Sequence, residues 1–319
     1  MISQTTNPRL GALLILNSIF LEGAYANLAL SKALNGSPLD RRDKALVTEL
    51  VYGTVKAQGT LDWLLAKGIN RPLRKVTPIV HNILRMAVYQ IFYLSKIPPS
   101  AACNEAVELA KKFGNEGMAK FVNGVLRGMI RNKEKLQFPS IEQNEPLHIA
   151  LTYLHPEWLV QRWRYRFGTE DTIKLCQYDN KTPSLTMRVN TLLISREQLS
   201  EKLKAAGIEV HPSLWSKDGL ICDKLPSLQE LMTQFGQYIY IQDESSMLVA
   251  DVLNPQEEEK VFDLCSAPGG KTTHLAQKMG NKGKITATDI YEHKLQLVQE
   301  NAKRLHINII HTELQDGSQ

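Results

Sequence analysis

Val261-Phe262-Asp263-Leu264-Cys265-Ser266-Ala267-Pro268-Gly269-Gly270-Lys271-Thr272-Thr273 passes from an apolar run of strand character into a Pro-Gly-Gly turn. A helical pattern then runs from Lys271 to Met279 and ends at Gly280. Strand, tight loop and helix form the repeating unit of an open α/β sheet. Nucleotide-like ligands bind there at the carboxyl end of the strand, where glycines let the backbone approach and helix N-terminal amides are free. Spacing separates the possible ligands. A phosphate-binding Walker loop needs Gly-x-x-x-x-Gly-Lys-Ser/Thr, and Cys265 stands where its first glycine belongs. A dinucleotide fingerprint needs Gly-x-Gly-x-x-Gly, which the adjacent pair Gly269-Gly270 does not give. What remains is a loop for a nucleoside whose carrier group is cationic or neutral.

The pattern continues in the same style. Lys284 to Asp289 reads as the next strand, ending in a carboxylate where a second-strand acid would grip ribose hydroxyls. A helix from Tyr291 to about Leu305 follows, then a short apolar strand and Asp316-Gly317, a position suited to accepting from an adenine amino group. Asp289 also suits the N-cap of the Tyr291 helix, and the two roles are compatible.

Upstream the periodicity changes. Residues 1 to about 135 read as helices throughout, an all-α bundle with short connections. A first amphipathic helix has apolar residues from Leu10 through Leu28, Leu30 and Leu34. Thr77-Pro78 opens a helix that Pro98-Pro99 ends; Ser100 can cap the next, Ala101 to Lys111; a further one spans about Met118 to Ile130. Gln137 to Pro146 is polar and reads as a linker. Pro156 to Phe167 is a helix in which Trp158 and Trp163 stand among Arg162, Arg164 and Arg166. Aromatics beside arginines could stack on bases, but packing of the tryptophans on the next domain is the better reading. Residues 183 to 235 alternate: a strand Thr186–Thr191, a capping box at Ser195-Arg196-Glu197-Gln198 opening a helix that stops at Gly207, and a strand Ile208–Val210.

With 319 residues, 43% of them hydrophobic, the chain is long enough for two or three packed domains. Its net charge of +5 hides an asymmetry: residues 1–140 carry 19 Lys+Arg against 9 Asp+Glu, and residues 141–319 carry 19 against 24. A basic front end suggests a polyanionic partner, although exposed helix faces are also commonly basic. Cys103, Cys176, Cys222 and Cys265 lie far apart, and neither a zinc site nor a disulfide framework is indicated; this usage fits a reducing cytoplasm. The apolar run Leu10–Leu21, trailed by Ala24-Tyr25-Ala26, imitates a signal peptide, but Asn17, Ser18 and Glu22 argue against it. No run approaches the roughly 20 apolar residues needed to span a bilayer.

Asp263-Leu264-Cys265-Ser266-Ala267-Pro268-Gly269-Gly270-Lys271-Thr272-Thr273 resembles the first motif of the S-adenosylmethionine-dependent RNA cytosine-5 methyltransferases. Gln242-Asp243-Glu244-Ser245-Ser246 is similar to their Gln-Asp-x-Ser-Ser segment, and Arg188-Val189-Asn190-Thr191 to their Arg-Val-Asn-Thr signature. Thr48–Thr54, Asn82–Gln90, Ile97–Pro99, Asn104–Glu108 and Phe121–Arg127 resemble the NusB-like domain of the bacterial 16S rRNA cytosine-5 methyltransferases of the Sun, Fmu or RsmB type. The resemblance runs from about residue 40 to the end. It implies an all-α NusB-like bundle that binds RNA (1–136), a linker with connecting helices (137–182), a small α+β RNA-recognition-like subdomain (183–235) and the first part of a Rossmann-like α/β methyltransferase domain (236–319).

It also implies a cytoplasmic monomer, without metal or membrane, that uses S-adenosyl-L-methionine on 16S rRNA. Cys265, Ser266, Ala267, Pro268, Gly269, Gly270 and Lys271 would cradle methionine and ribose, Asp289 would hold the ribose hydroxyls, Asp316 would sit near adenine, and Arg188 and Asn190 would face the nucleic acid. Cys265 reads as a small packed residue of the cofactor loop rather than a nucleophile.

Carbon 5 of cytosine is too electron-poor to take a methyl group directly, so a thiolate must first add at carbon 6. In the family that thiolate stands in a Thr-Cys motif assisted by a Pro-Cys motif, and no cysteine here follows Thr or Pro. On this reading no catalytic residue lies in these 319 residues, the Val261–Leu264 strand becomes an open sheet edge, and the chain folds well in its helical domain and poorly after about residue 236. The competing reading is an RNA-binding module with a vestigial cofactor loop.

Overall fold

The computed structural model describes residues 5–224 and 227–317, in two compact units, Met1–Lys181 and Thr182–Gln319. The first is helical, as expected. Helix α1 (Pro8–Glu22) starts on an Asn7 side-chain cap with proline at its first turn and stops at Gly23, whose left-handed φ of 74° permits the Ala24 N–H to reach back to the Ser18 carbonyl. The single helix expected from Leu10 to Leu34 is thus two, the second being α2 (Ala26–Leu34). Leu13, Ile15 and Leu16, in the run that imitates a leader, lie in the core.

Helices α3 (Arg41–Lys56), α4 (Gln58–Gly68), α5 (Pro78–Tyr93), α6 (Pro99–Phe113) and α7 (Glu116–Arg131) complete the bundle. The central α5 is buried along most of its length. Helix α6 begins one residue before the proposed Ser100 cap, on Pro98, and has no side-chain cap: the rigid φ of proline starts the turn instead. Gly53 lies against the Tyr89 ring, where an added Cβ would come within 2.0 Å of Cζ, while the Tyr89 hydroxyl donates to Glu49 at 2.6 Å. Arg85 grips Asp62 through Nε and Nη2 at 2.7 and 2.6 Å and reaches Asn82 at 3.0 Å. These motif residues are therefore parts of the packing.

Helix α8 (Glu145–Tyr153) leads to α9 (Glu157–Asp179), two helical stretches joined at Gly168, whose φ of 75° breaks the run one residue past the expected end at Phe167. Trp163 packs beside His155, its ring 5.5 Å away, but Trp158 is 62% exposed. Trp163 thus packs within its own unit, in the small cluster with Ile149, Ala150, Val160 and Cys176, rather than on the next domain as expected, and Trp158 stands exposed.

The second unit contains two sheets. An antiparallel one has the order β2–β3–β1–β4, with β1 (Leu185–Val189), β2 (His211–Pro212), β3 (Gly219–Cys222) and β4 (Ile239–Ile241). The Ser195 capping box forms as expected at the start of α10 (Arg196–Ala205). The strand expected at Ile208–Val210 appears just after it, as β2, leaving Ile208 and Val210 buried in the small core. Met187 and Val189 of β1 and Ile239 of β4 face that core, which is shared with α10 and α11 (Leu228–Phe235).

The parallel sheet has the order β5–β6–β7, from β5 (Lys260–Asp263), β6 (Lys284–Asp289) and β7 (Ile310–Leu314), interleaved with α13 (Gly270–Lys278) and α14 (Glu292–Arg304). α12 (Glu244–Leu253) precedes it. The central strand is β6, where Ile285 and Ala287 are fully buried. Strand β5 lies at an edge, with Phe262 52% and neighbouring Leu264 45% exposed.

Candidate cofactor site

The three parallel strands end on one side of their sheet, and the loops after them make the crevice. After β5 the chain turns through Ser266, whose N–H and Oγ both bind the Thr288 carbonyl at 2.9 and 3.0 Å. Gly269, at φ 97°, then opens α13; a Cβ there would meet the Val298 backbone at 3.3 Å. Only glycine combines that φ with so close an approach. Gly270 packs against the Tyr240 ring, and its missing Cβ would lie 3.2 Å from Cε1. The first-turn amides of α13 lack intrahelical partners and face outward with a partial positive charge.

A cavity of about 280 Å³ sits over this turn. Of the residues expected to hold a cofactor, Cys265, Ser266, Ala267, Pro268, Gly270 and Lys271 line it; Gly269 is buried against Val298 instead. Asp289 and Asp316 do not line it; Asp289 is the last residue of β6, and Asp316 stands in the loop that follows β7 at the same end of the sheet. The loop that carries Asp316 is close: the Gln315 N–H donates to the Asp289 carbonyl at 3.2 Å, and a Cβ on Gly317 would lie 3.5 Å from Leu264. One Asp289 oxygen accepts the Tyr291 N–H at 3.2 Å. This turn stands just before α14 and does not cap it, since Tyr291 is the N-cap residue. Among the described residues the other Asp289 oxygen takes no hydrogen bond.

Cys265 is exposed and lines the cavity, which corrects the expectation of a small packed residue; the strand it follows, β5, lies at the edge of the sheet. Sequence reasoning also passed over part of the lining. Tyr240, Gln242, Asp243, Ser246 and Asp263 also line the cavity, and Asp263 Oδ2 accepts from the Thr272 hydroxyl at 2.7 Å. The signal was present, since four of these five lie in the two motif segments around Gln242 and Asp263.

Arg188 and Asn190 require a larger correction. Each is 1% exposed, and neither faces solvent. Because Met187 and Val189 point into the small core, Arg188 points the other way, into the layer beneath α13. Its Nη1 donates to Gln242 Oε1 at 2.6 Å and to the Gly270 carbonyl at 2.5 Å, Nη2 donates to Thr273 Oγ1 at 2.9 Å, and the guanidinium lies over the Tyr240 ring at 5.1 Å. Burial pulls its pKa down to about 9. Asn190 Nδ2 donates to the carbonyls of Gln237 and Leu305 at 3.0 and 2.9 Å. Arg188 thus ties the small subdomain to the start of α13, and Asn190 ties it to the end of α14.

A second tie runs alongside. The fully buried His274 binds Asp218 at 3.0 Å, and Lys278 bridges Asp218 at 3.0 Å and Asp251 at 2.7 Å. Burial depresses the His274 pKa despite the carboxylate, so the neutral ring donates Nε2–H. Burial alone would raise Asp218, but the hydrogen bonds from His274 and Lys278 outweigh it and hold the carboxyl at about 2.

Among the described residues no group of His, Cys, Asp and Glu could hold a metal, and no helix is long and apolar enough to cross a membrane.

Three family models match successive parts of the chain: the NusB family at residues 6–131, an RsmF/B-like methyltransferase ferredoxin-like domain at 155–229, and 16S rRNA methyltransferase RsmB/F at 250–319. A probable ribosomal RNA small subunit methyltransferase B from Bacillus subtilis is 42% identical over 295 residues, covering 92% of this chain and 65% of that protein. A protein of the same description from Synechocystis is 38% identical over 300 residues, covering 94% and 67%. The chain thus spans about two thirds of the length of these relatives. The crystal structure of PH0851 shares the fold, with a TM-score of 0.75 at 24% identity over 98% of this chain and 70% of that one. With the helical unit, the antiparallel subdomain and the parallel sheet each matched in the same order, the chain belongs to the ribosomal RNA small subunit methyltransferase B family.

Proposed function

We propose that this protein serves the S-adenosyl-L-methionine-dependent methylation of carbon 5 of a cytosine in 16S rRNA, and that these residues contribute the cofactor cradle and an RNA-binding body. The observation that carries the reading is the turn from Asp263 to Lys271, with Gly269 at a left-handed φ of 97° and Gly270 close against the Tyr240 ring, so that the backbone itself lines the cavity. The donor set suits the cofactor. Asp263 keeps Oδ1 without a hydrogen bond among the described residues and would accept from the amino-acid ammonium. First-turn amides of α13 and Lys271 would face its carboxylate, and the remaining Asp289 oxygen would accept from ribose hydroxyls.

When bound, the cofactor supplies an electrophilic methyl group on a sulfonium. The chain's residues orient that group and shield it: Tyr240 and Pro268 wall the cavity, and Arg188 fixes the Gly270 carbonyl from below. Burial raises the thiol pKa of Cys103, Cys176 and Cys222, so none of the three suits the attack on carbon 6. Calorimetry tests the cofactor assignment, with S-adenosyl-L-methionine expected to bind and ATP not; firm ATP binding with the methyl donor ignored overturns it. Labelled methyl transfer to unmethylated small-subunit rRNA tests the reaction, and RNA binding without turnover would favour the binding-module reading.

A further inference from the structure

The first half of α9 carries an aromatic and basic stripe that no role described so far uses. Trp158, Arg162 and Tyr165 follow at i, i+4 and i+7 and so share one face of the helix, with Arg166 beside them. Trp158 is 62% and Tyr165 93% exposed. Single exposed apolar side chains occur on other helices of this unit, as at Leu21, Leu28 and Tyr52, but here a tryptophan and a tyrosine stand in water on one face among arginines, which marks a surface for a partner.

Its charge says what kind. Arg162 and Arg166 make no ion pair among the described residues. The nearby carboxylate of Glu145 is already taken by Arg164 and by the Thr169 hydroxyl at 2.5 Å, and Glu170 pairs with Lys174 at 2.8 Å. Next to the stripe, Pro146, Gln161, Arg164, Tyr165, Gly168 and Thr169 line an open cavity of about 610 Å³, within the range of small-ligand pockets.

We propose that this face of α9 binds single-stranded RNA, with Trp158 and Tyr165 each stacking on an unpaired base and Arg162 and Arg166 contacting the phosphates between them. The two rings are separated by about 10 Å along the helix axis, room for two separate bases. Stacking of this kind needs bases free of a duplex, so the ligand is a loop or an unpaired strand rather than a helix. The inference rests on the reading of the protein as an RNA methyltransferase and adds a place where substrate docks outside the cofactor crevice.

The test is fluorescence anisotropy of a labelled unstructured oligoribonucleotide, titrated with the chain over a range of salt concentrations. The double variant W158A/Y165A is expected to bind at least about 30-fold more weakly, the loss of two stacked bases. The variant R162A/R166A is expected to lower the slope of log K against log salt by about 1.4, the value for two lost phosphate contacts on a single strand. All four side chains are exposed, so the melting temperature should stay at the wild-type value and separate binding from folding. If both variants bind like the wild type, the inference is wrong while the methyltransferase reading stands; the same holds if they alter only self-association or capture of a protein. If the wild type binds no oligoribonucleotide at any salt concentration, the inference fails, while the methyltransferase reading is decided separately by methyl transfer to the rRNA.

Discussion

Arg188→Met offers a direct measure of where that side chain acts. A surface arginine gripping RNA would leave stability within about 0.5 kcal/mol of wild type when replaced. The buried arginine seen here gives up its bonds to Gln242, Gly270 and Thr273. The Gly270 carbonyl keeps its intrahelical acceptor role and Thr273 keeps its bond to the Gly269 carbonyl at 2.6 Å, so the Gln242 carboxamide oxygen is the group left unsatisfied. An orphaned buried acceptor costs about 1–3 kcal/mol, and removing an arginine whose own pKa is already depressed by burial returns part of its desolvation. The expected net loss is about 2 kcal/mol. With an m-value of about 2 kcal/mol/M, the urea midpoint of the second unit should fall by roughly 1 M. Hydrogen exchange followed through α13 and β1 assigns the loss to that unit, and cofactor affinity should drop with it. A midpoint unchanged within error, with RNA affinity reduced instead, would refute the buried role.

Other expectations follow from the same geometry. Asp289→Asn should weaken S-adenosyl-L-methionine binding about 10- to 100-fold in calorimetry through loss of a charge-assisted acceptor, leaving the melting temperature nearly constant; unaltered affinity would remove Asp289 from the site. Burial holds the folded-state pKa of His274 below its ordinary value near 6.5, so its contribution is complete above that value and is lost as pH falls below it; the second unit should destabilise as pH falls below about 6.5, and H274Q should flatten that slope. A slope identical in H274Q would place the titration elsewhere. Strand β5 leaves Phe262 and Leu264 uncovered, so limited proteolysis should cut the C-terminal 80 or so residues before the helical unit, and equal resistance of the two would contradict this.

Local chemistry made much of this molecule readable in advance. The Ser195 capping box, the Lys284–Asp289 strand and the Pro-Gly-Gly turn each carry their own instructions within a few residues, and each forms as expected. The errors share a different cause. Alternation along Met187-Arg188-Val189 separates two faces correctly but cannot tell that the polar-looking face is covered, because the cover is α13, some 80 residues later. Trp158 fails in the opposite sense: its pattern matched a packing residue, yet it stands 62% exposed. Cys265 stands exposed after β5 at the sheet margin, and strand order is not a property of its neighbours in the chain.

Asp218 shows what this means for anyone recombining such proteins. It belongs by position to the small antiparallel subdomain, yet His274 and Lys278 of α13 are its partners, and Lys278 in turn holds Asp251. A chimera spliced near residue 236 would divorce the carboxylate from its helix and strand a buried imidazole wherever the donor lacks an acid at the position of Asp218. A splice near residue 182 inherits the set intact, which makes the two C-terminal pieces a single heritable module rather than two interchangeable ones.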